Sequence, residues 1–114
     1  MSERELTYGE AGKEAIAEEM RRDSRVFLIG EDVAEAGHPF KTLLGLVQEF
    51  GTQRIVDTPI SEPGYAGIGV GAAMTGMRPI VDVMFGDFIT LTMDQMVNQA
   101  AKAHYMSGGK IKVP

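Results

Sequence analysis

Residues 54–85, RIVDTPISEPGYAGIGVGAAMTGMRPIVDVMF, place a long uncharged stretch of small residues between two short apolar runs. The runs RIVDTP (54–59) and RPIVDVMF (78–85) have the continuous apolar character of strands that are buried on both faces. Between them, Ser61 can cap a helix that continues to about Thr75. This strand–helix–strand order is typical of parallel strands joined by a crossover helix.

The preceding sequence continues the alternation of helices and strands. Thr7 and Glu10 have the spacing of a capping box, which predicts a helix from about Tyr8 to Arg22. RVFLIG (25–30) is predicted to form a strand, and EDVAEAGHPF (31–40) a loop that contains the helix-breaking residues Gly and Pro. KTLLGLVQEFG (41–51) is predicted to form a second helix.

The last part of the chain is predicted to form one long helix and the beginning of a strand. Asp87 can cap the helix, which reaches about Met106 and is ended by SGG (107–109). KIKVP (110–114) has the pattern of one more strand that stops as it begins, so we expect the chain to be a truncated domain. The predicted fold class is α/β, a three-layer parallel sheet with helices on both faces.

Composition excludes several classes of function. The 114 residues suit one domain, and 11 Lys and Arg against 16 Asp and Glu give a net charge of -5, which disfavours binding to nucleic acid. Cysteine is absent, which excludes disulfides, thiol catalysis and thiolate metal sites. The charged start is unlike a signal peptide, and the uncharged run 63–77 is too short to span a bilayer, so we expect a cytoplasmic protein without a membrane partner.

Ligands of parallel α/β sheets bind beyond the carboxyl ends of the strands. The segments predicted to lie there are 31–40, 58–62 and 85–88. Glu62 belongs to the second and Phe88 to the third, so the two side chains can share one site.

The glycines offer an alternative interpretation as a nucleotide loop. GIGVGA (67–72) matches the dinucleotide fingerprint formally, but that motif needs its glycines in the turn between a strand and a helix. Here TPISEPGYA (58–66) intervenes, which places the glycines inside the helix. Gly67 and Gly71 would then share one helix face and suit the close approach of another backbone.

The residues that carry a family resemblance are RIVDTPISEPGYAGIGVGAAMTGMRPIVDVMFGDFITLTMDQMVNQAAKAHYMSGG (54–109), preceded by FLIGEDVAEAG (27–37). They closely resemble the β subunit of the decarboxylating component of 2-oxoacid dehydrogenase complexes (pyruvate, branched-chain and acetoin types), which use thiamin diphosphate. The resemblance begins at about residue 5 and implies that residues 1–114 are the N-terminal part of a transketolase-like pyrimidine-binding domain.

The resemblance also implies partners. The cofactor is shared between subunits, and the α subunit binds its diphosphate through Mg²⁺ with a Gly-Asp-Gly motif, which FGDF (85–88) only echoes. No metal site is therefore expected in this chain, and the chain alone is expected to be inactive. The implied partners are an α subunit, a second β subunit and the lipoyl transferase component that receives the acyl group. The alternative is a truncated stand-alone interaction module, and self-association is expected in both cases.

Three site residues follow from the resemblance. Glu62 matches the family glutamate that hydrogen-bonds the aminopyrimidine ring, and Met84 and Phe88 match positions that wall this ring. The alternatives are an acid that favours a helix N-terminus for Glu62, and core packing for the other two. Leu91 stands where relatives carry a polar residue. His38 is interpreted as a solvated loop residue, and His104 as a structural residue.

Overall fold

The computed structural model describes residues 4–114, and it confirms the α/β class. The elements are α1 (Tyr8–Arg22), β1 (Val26–Gly30), α2 (Leu46–Phe50), β2 (Ile55–Asp57), α3 (Glu62–Met74) and β3 (Arg78–Asp82), then a 3-10 helix (Gly86–Thr92), a π-helix (Asp94–Ala100) and α4 (Ala101–Met106). Within this part of the chain, no helix combines the length and the apolar character that crossing a membrane requires.

The sheet contains three parallel strands in the order β2-β1-β3. Leu28 in the central strand is in register with Ile55 on one side and Ile80 on the other. At the end of β1, Gly30 is in register with both Asp57 and Asp82. All three strands therefore end at one edge of the sheet, and we refer to it as the carboxyl edge.

Alternate side chains of the strands face two different layers. Val26, Leu28 and Ile55 join Met20 of α1 and Leu46 of α2 in one hydrophobic core. On the opposite face, α3 packs against β3, and the helix backbone at Gly69 lies close to the Val81 side chain. The predicted arrangement of helices on both faces of the sheet is confirmed.

Gly69 makes this close packing possible. A Cβ atom at this position would lie 2.5 Å from Val81 Cγ2, a distance that no ordinary side chain tolerates. The glycines lie inside α3, as predicted, and not in a turn before it. Gly71 meets nothing within 4 Å, so the expected approach of another backbone to Gly67 and Gly71 stays a prediction.

Several predicted elements are shorter in the structure. The second helix, predicted over 41–51, spans only Leu46–Phe50, because Lys41 and Gly45 have φ angles of 59° and 93° and break the helical path. The strand predicted over 78–85 ends at Asp82, since the following backbone turns at Met84. No strand forms over residues 110–114.

The single long helix predicted from Asp87 was also wrong. The segment begins as a 3-10 helix that Phe85 precedes, and Asp87 lies inside its first turn. The hydroxyl groups of Thr90 and Thr92 donate hydrogen bonds of 2.9 Å to the carbonyl oxygens three residues earlier. Such side-chain bonds compete with the regular helical hydrogen bonds, and β-branched residues disfavour the helix further.

The N-caps predicted at Thr7 and Ser61 differ in outcome. The capping box is confirmed: the Glu10 amide donates to Thr7 Oγ1 at 3.3 Å, and the Thr7 amide donates to Glu10 Oε2 at 2.8 Å. Ser61 occupies the cap position of α3, but its side chain makes no capping hydrogen bond. His104, interpreted as structural, lies in the last turn of α4 with Nδ1 2.9 Å from the Ile111 carbonyl oxygen.

The close packing at Gly69 is testable with a matched pair of variants. We expect Gly69→Ala to lower the free energy of unfolding by about 1–3 kcal/mol, because the new methyl group must displace Val81. Gly71→Ala lies in the same helix and meets open space, so it should stabilise the protein by up to about 1 kcal/mol. Urea unfolding of both variants checks this, and equal effects would contradict the packing.

Candidate functional site

Four polar side chains meet at the carboxyl edge of the sheet. Glu31 follows β1, Thr58 follows β2, Glu62 opens α3 and Asp82 ends β3. They are brought together because Gly30 is in register with the last residues of both neighbouring strands. The three segments that the sequence places at this edge are therefore adjacent in space, as predicted.

Glu62 is the first residue of α3 and is half-buried. Glu31, which is 7% exposed, is an acidic neighbour of Glu62. Burial raises the pKa of Glu31, and the charges of Glu62 and Asp32 raise it further. Two carboxyl groups so close favour a state in which one of them keeps its proton.

Tyr65 lies one helical turn after Glu62 and is only 2% exposed. Burial raises the pKa of Tyr65 to about 12, and the charges of Glu31, Glu62 and Asp82 contribute in that order. The phenol therefore stays protonated and keeps its donor. Tyr65 lies near enough to Glu31 to lower the pKa of that carboxyl group. Neither the Tyr65 hydroxyl nor Glu31 Oε1, however, makes a hydrogen bond of normal geometry. The buried Thr58 Oγ1 has no hydrogen-bond partner either.

His38 is buried, and its interpretation as a solvated loop residue was wrong. It is 6% exposed, because the loop after β1 folds back so that the His38 amide donates to the Asp32 carbonyl oxygen at 2.7 Å. Its Nδ1 accepts from the Phe40 amide at 3.2 Å, which leaves the proton of the neutral ring on Nε2. Nε2 lies 3.6 Å from Asp82 Oδ1.

Met84 has a backbone conformation that residues with a side chain rarely adopt. Its φ angle is 66°, and the Phe85 amide donates to the Val83 carbonyl oxygen at 2.8 Å across it. This is the hydrogen-bond pattern of a γ-turn, whose positive-φ form is rare and strained. Non-glycine residues in such regions cost about 1–3 kcal/mol and cluster at functional sites.

Aromatic rings continue the site away from the carboxyl groups. Phe40 and Phe85 contact edge to face with ring centres 5.5 Å apart, and Phe85 and Phe88 do so at 5.3 Å. Phe88 is half-buried and lies on the 3-10 helix, which packs against α3. The structure thus places Glu62, Met84 and Phe88 on elements that converge at the carboxyl edge, and their roles stay predictions.

The sequence interpretation identified Glu62 but not Glu31, Tyr65 or Asp82 as residues of this site. Glu31 directly follows a buried strand in a loop predicted to face the site, and Tyr65 lies three residues after Glu62 on the same helix face. These signals could have identified both residues. Asp82 was counted as part of a longer strand, and its position at a strand end depends on the turn at Met84.

Among residues 4–114, no group of three or more His, Cys, Asp or Glu side chains is arranged to hold a metal ion. The binding of Mg²⁺ by a partner subunit stays a prediction. The carboxyl edge can instead exchange protons and hydrogen bonds with a polar, flat ligand, since carboxyl groups, a phenol and aromatic rings border it.

Residues 4–114 match the family described as "Transketolase, pyrimidine binding domain". The chain is 54% identical over 109 residues to the pyruvate dehydrogenase E1 component subunit beta of Rhizobium meliloti, a match that covers 96% of the chain and 24% of that protein. The corresponding protein of Rickettsia conorii is 51% identical over 110 residues, 96% of the chain and 34% of that protein. The 2-oxoisovalerate dehydrogenase subunit beta of Bacillus subtilis is 47% identical over 109 residues, 96% of the chain and 33% of that protein. The chain thus spans about a quarter to a third of the length of these curated relatives.

The carboxyl pair predicts a specific dependence of stability on pH. Because the pKa of Glu31 is raised in the folded protein, folding binds a proton there at pH values where the unfolded chain has released it. The free energy of unfolding therefore decreases as pH rises from 4.5, the ordinary pKa of the carboxyl group, through the raised pKa of Glu31 in the folded protein. Glu31→Gln mimics the protonated form, so its free energy of unfolding relative to wild type should increase over this interval.

Glu49→Gln is the matched control, because the Arg21 hydrogen bonds lower the pKa of Glu49. In the wild type, the ionised Glu49 stabilises the fold at pH values above the ordinary carboxyl pKa. This stabilisation is lost as pH falls through the lowered pKa of Glu49. The variant should therefore be slightly less stable at neutral pH, and the difference should be small because the pair is exposed and solvent screens it. Denaturant unfolding between pH 4 and pH 8 measures both differences. A pH-independent difference for Glu31→Gln would contradict a perturbed pair.

Proposed function

Because the chain belongs to the transketolase pyrimidine-binding domain family, we propose that its carboxyl edge binds the aminopyrimidine ring of thiamin diphosphate. The observation that carries the proposal is the position of Glu62, a half-buried carboxyl group on the first residue of α3. It lies beside the buried Glu31 and Tyr65, and because it is only half-buried, part of its side chain stays accessible.

The residues at the edge fit this ring chemically. Among the described residues 4–114, three buried polar side-chain atoms have no hydrogen-bond partner, namely Glu31 Oε1, Thr58 Oγ1 and Tyr65 Oη. Buried polar groups normally find a partner, and an aminopyrimidine offers both donors and acceptors. Phe88 and Met84 belong to the segments at the same edge. Phe88 would offer its ring, and Met84 its apolar side chain, to the flat face of the ligand.

Glu62 would exchange a hydrogen bond with a ring nitrogen, and its carboxyl group would hold or release a proton there. Burial and the charge of Glu62 raise the pKa of the neighbouring Glu31, which favours its protonated form. Tyr65 stays a protonated donor close to both groups. Thiamin diphosphate, when bound, supplies the electron sink for decarboxylating a 2-oxoacid.

The activity is proposed from the relatives. Their names identify them as β subunits of pyruvate and 2-oxoisovalerate dehydrogenases, so we propose that this chain serves a 2-oxoacid dehydrogenase, with pyruvate or acetoin as the substrate type. An α subunit would bind Mg²⁺ and the diphosphate, a second β subunit would complete the assembly, and a lipoyl transferase component would receive the acyl group. A cytoplasmic location is part of the same proposal.

The exposed apolar residues favour binding to other subunits. Ile68 on α3 is 57% exposed, Tyr105 is 90% exposed and Met106 is 76% exposed. Further large apolar side chains between Leu91 and Val97, in the 3-10 helix, the π-helix and the residue that joins them, are also exposed: Leu91, Met93, Met96 and Val97. Surfaces of this kind usually mark contacts with other chains. They also fit the alternative, an interaction module without catalysis.

The proposal predicts a specific effect of Glu62→Gln in the protein assembled with its α subunit. The amide keeps the shape of the side chain but cannot ionise, so thiamin diphosphate should still bind. Hydrogen–deuterium exchange at the reactive thiazolium carbon, followed by quenched NMR, should slow by about 10²–10³-fold. Thermal unfolding should change little.

Glu49→Gln is the control, since Glu49 is an exposed acid in the first turn of α2. It should leave the exchange rate unchanged. If Glu62 only complements the helix dipole, Glu62→Gln should likewise leave the exchange rate unchanged, with a stability cost of well under about 1 kcal/mol. Equal exchange rates in wild type and Glu62→Gln would refute the assigned role.

Self-association through the exposed apolar residues gives a separate prediction. Val97→Glu places a charge among them, so it should shift the purified chain towards the monomer in light scattering at high concentration. Tyr8→Glu removes an aromatic side chain that is 99% exposed on α1, away from this surface, and should leave the distribution unchanged. A wild-type chain that stays monomeric and binds no α subunit would contradict the prediction.

A further inference from the structure

Asp82 connects two segments of the carboxyl edge that are far apart in the sequence. Its Oδ1 accepts a hydrogen bond from the Met84 amide at 2.7 Å. The same oxygen lies 3.6 Å from Nε2 of His38, which belongs to the loop after β1. A single carboxylate oxygen therefore faces both the strained turn after β3 and a buried histidine.

The hydrogen bond to Asp82 opposes the strain at Met84. A residue with a φ angle of 66° persists only when its surroundings hold it there, and the two hydrogen bonds that span the turn are those of the Met84 and Phe85 amides. The Met84 bond ends on a carboxylate, and such charge-assisted bonds are roughly twice as strong as neutral ones. Asp82 is thus the side chain that fixes the direction of the turn.

The position of Asp82 is itself determined by the sheet. A Cβ atom on Gly30 would lie 2.7 Å from the Asp82 carbonyl oxygen and 3.0 Å from its Cβ, so only glycine lets β3 end this close to β1. On the other side, the His38 ring is oriented by the Phe40 amide, which donates to Nδ1 and leaves Nε2 as the donor towards Asp82. His38 also has a positive φ angle, 71°.

We propose that Asp82 is a positioning residue of the pyrimidine site, which holds the Met84 turn in its binding conformation and is itself held by His38. The proposal rests on the proposed function, because the ligand that Met84 would contact is the aminopyrimidine ring. Asp82 acts through the Met84 backbone and does not touch the ligand. It therefore sets how tightly the cofactor binds and does not set the rate of the chemical step.

The test compares three variants in the protein assembled with its α subunit. Asp82→Ala removes the acceptor, and Asp82→Asn keeps an oxygen acceptor for the Met84 amide without the charge. His38→Asn removes the ring that faces Asp82 and keeps a residue that tolerates a positive φ angle. The two readouts are hydrogen exchange of the Met84 amide and calorimetric titration with thiamin diphosphate and Mg²⁺.

In Asp82→Ala, the Met84 amide should exchange about 10–100-fold faster, and the dissociation constant for thiamin diphosphate should rise by about the same factor, since a hydrogen bond to a charged group is lost. The turnover number at saturating cofactor should change by less than about 3-fold. General destabilisation would not weaken cofactor binding while leaving the turnover number nearly unchanged. Asp82→Asn should recover most of both losses. His38→Asn should give the same pattern as Asp82→Ala with a smaller effect.

Each contradicting result identifies which part of the proposal is wrong. Unchanged Met84 exchange in Asp82→Ala overturns the positioning role, while cofactor binding by the wild type still supports the proposed function. Faster exchange with unchanged cofactor affinity overturns the link between the turn and the ligand. A wild-type assembly that binds no thiamin diphosphate refutes the proposed function, and the positioning role falls with it.

Discussion

The pairing of β1 with both neighbouring strands is the interaction on which the rest of the structure depends. Gly30 is in register with Asp57 and Asp82, so three chain segments end at one edge of a parallel sheet. Parallel strands need crossover connections, and α3 provides the one that returns across β1 to reach β3. Glu62 reaches the edge because it is the residue at which this crossover helix begins.

Close packing of small residues makes this arrangement possible. Gly69 lets α3 lie against Val81, and Gly30 lets β3 end directly beside β1. Both glycines hold carboxyl-bearing segments at short distance, and the result is a group of acids around the buried Tyr65. Burial raises the pKa of Glu31, and the neighbouring charges of Glu62 and Asp32 raise it further. The electrostatic character of the site is therefore a consequence of backbone packing.

The same edge also concentrates backbone strain. The non-glycine residues with positive φ angles are Asp32, His38, Lys41 and Met84 among the residues that the structure describes. All four lie in segments that follow β1 or β3 at the carboxyl edge. Strain of this kind is maintained by neighbouring contacts, and here these include the hydrogen bond of the Met84 amide to Asp82. Binding geometry and strain are thus linked through one carboxylate.

The sequence by itself determined the order of the elements, the parallel sheet with helices on both faces, the capping box of α1 and the place of Glu62 at the carboxyl edge. These features follow from local patterns, namely apolar runs, helical spacing and cap residues, which each segment carries within itself. Only the tertiary structure decided the burial of His38, the raised pKa of Glu31, the shortened α2 and the change from 3-10 to π-helix after Phe85. Those features depend on contacts between segments distant in the sequence, or on hydroxyl groups that compete with backbone bonds, and neither leaves a periodic signal.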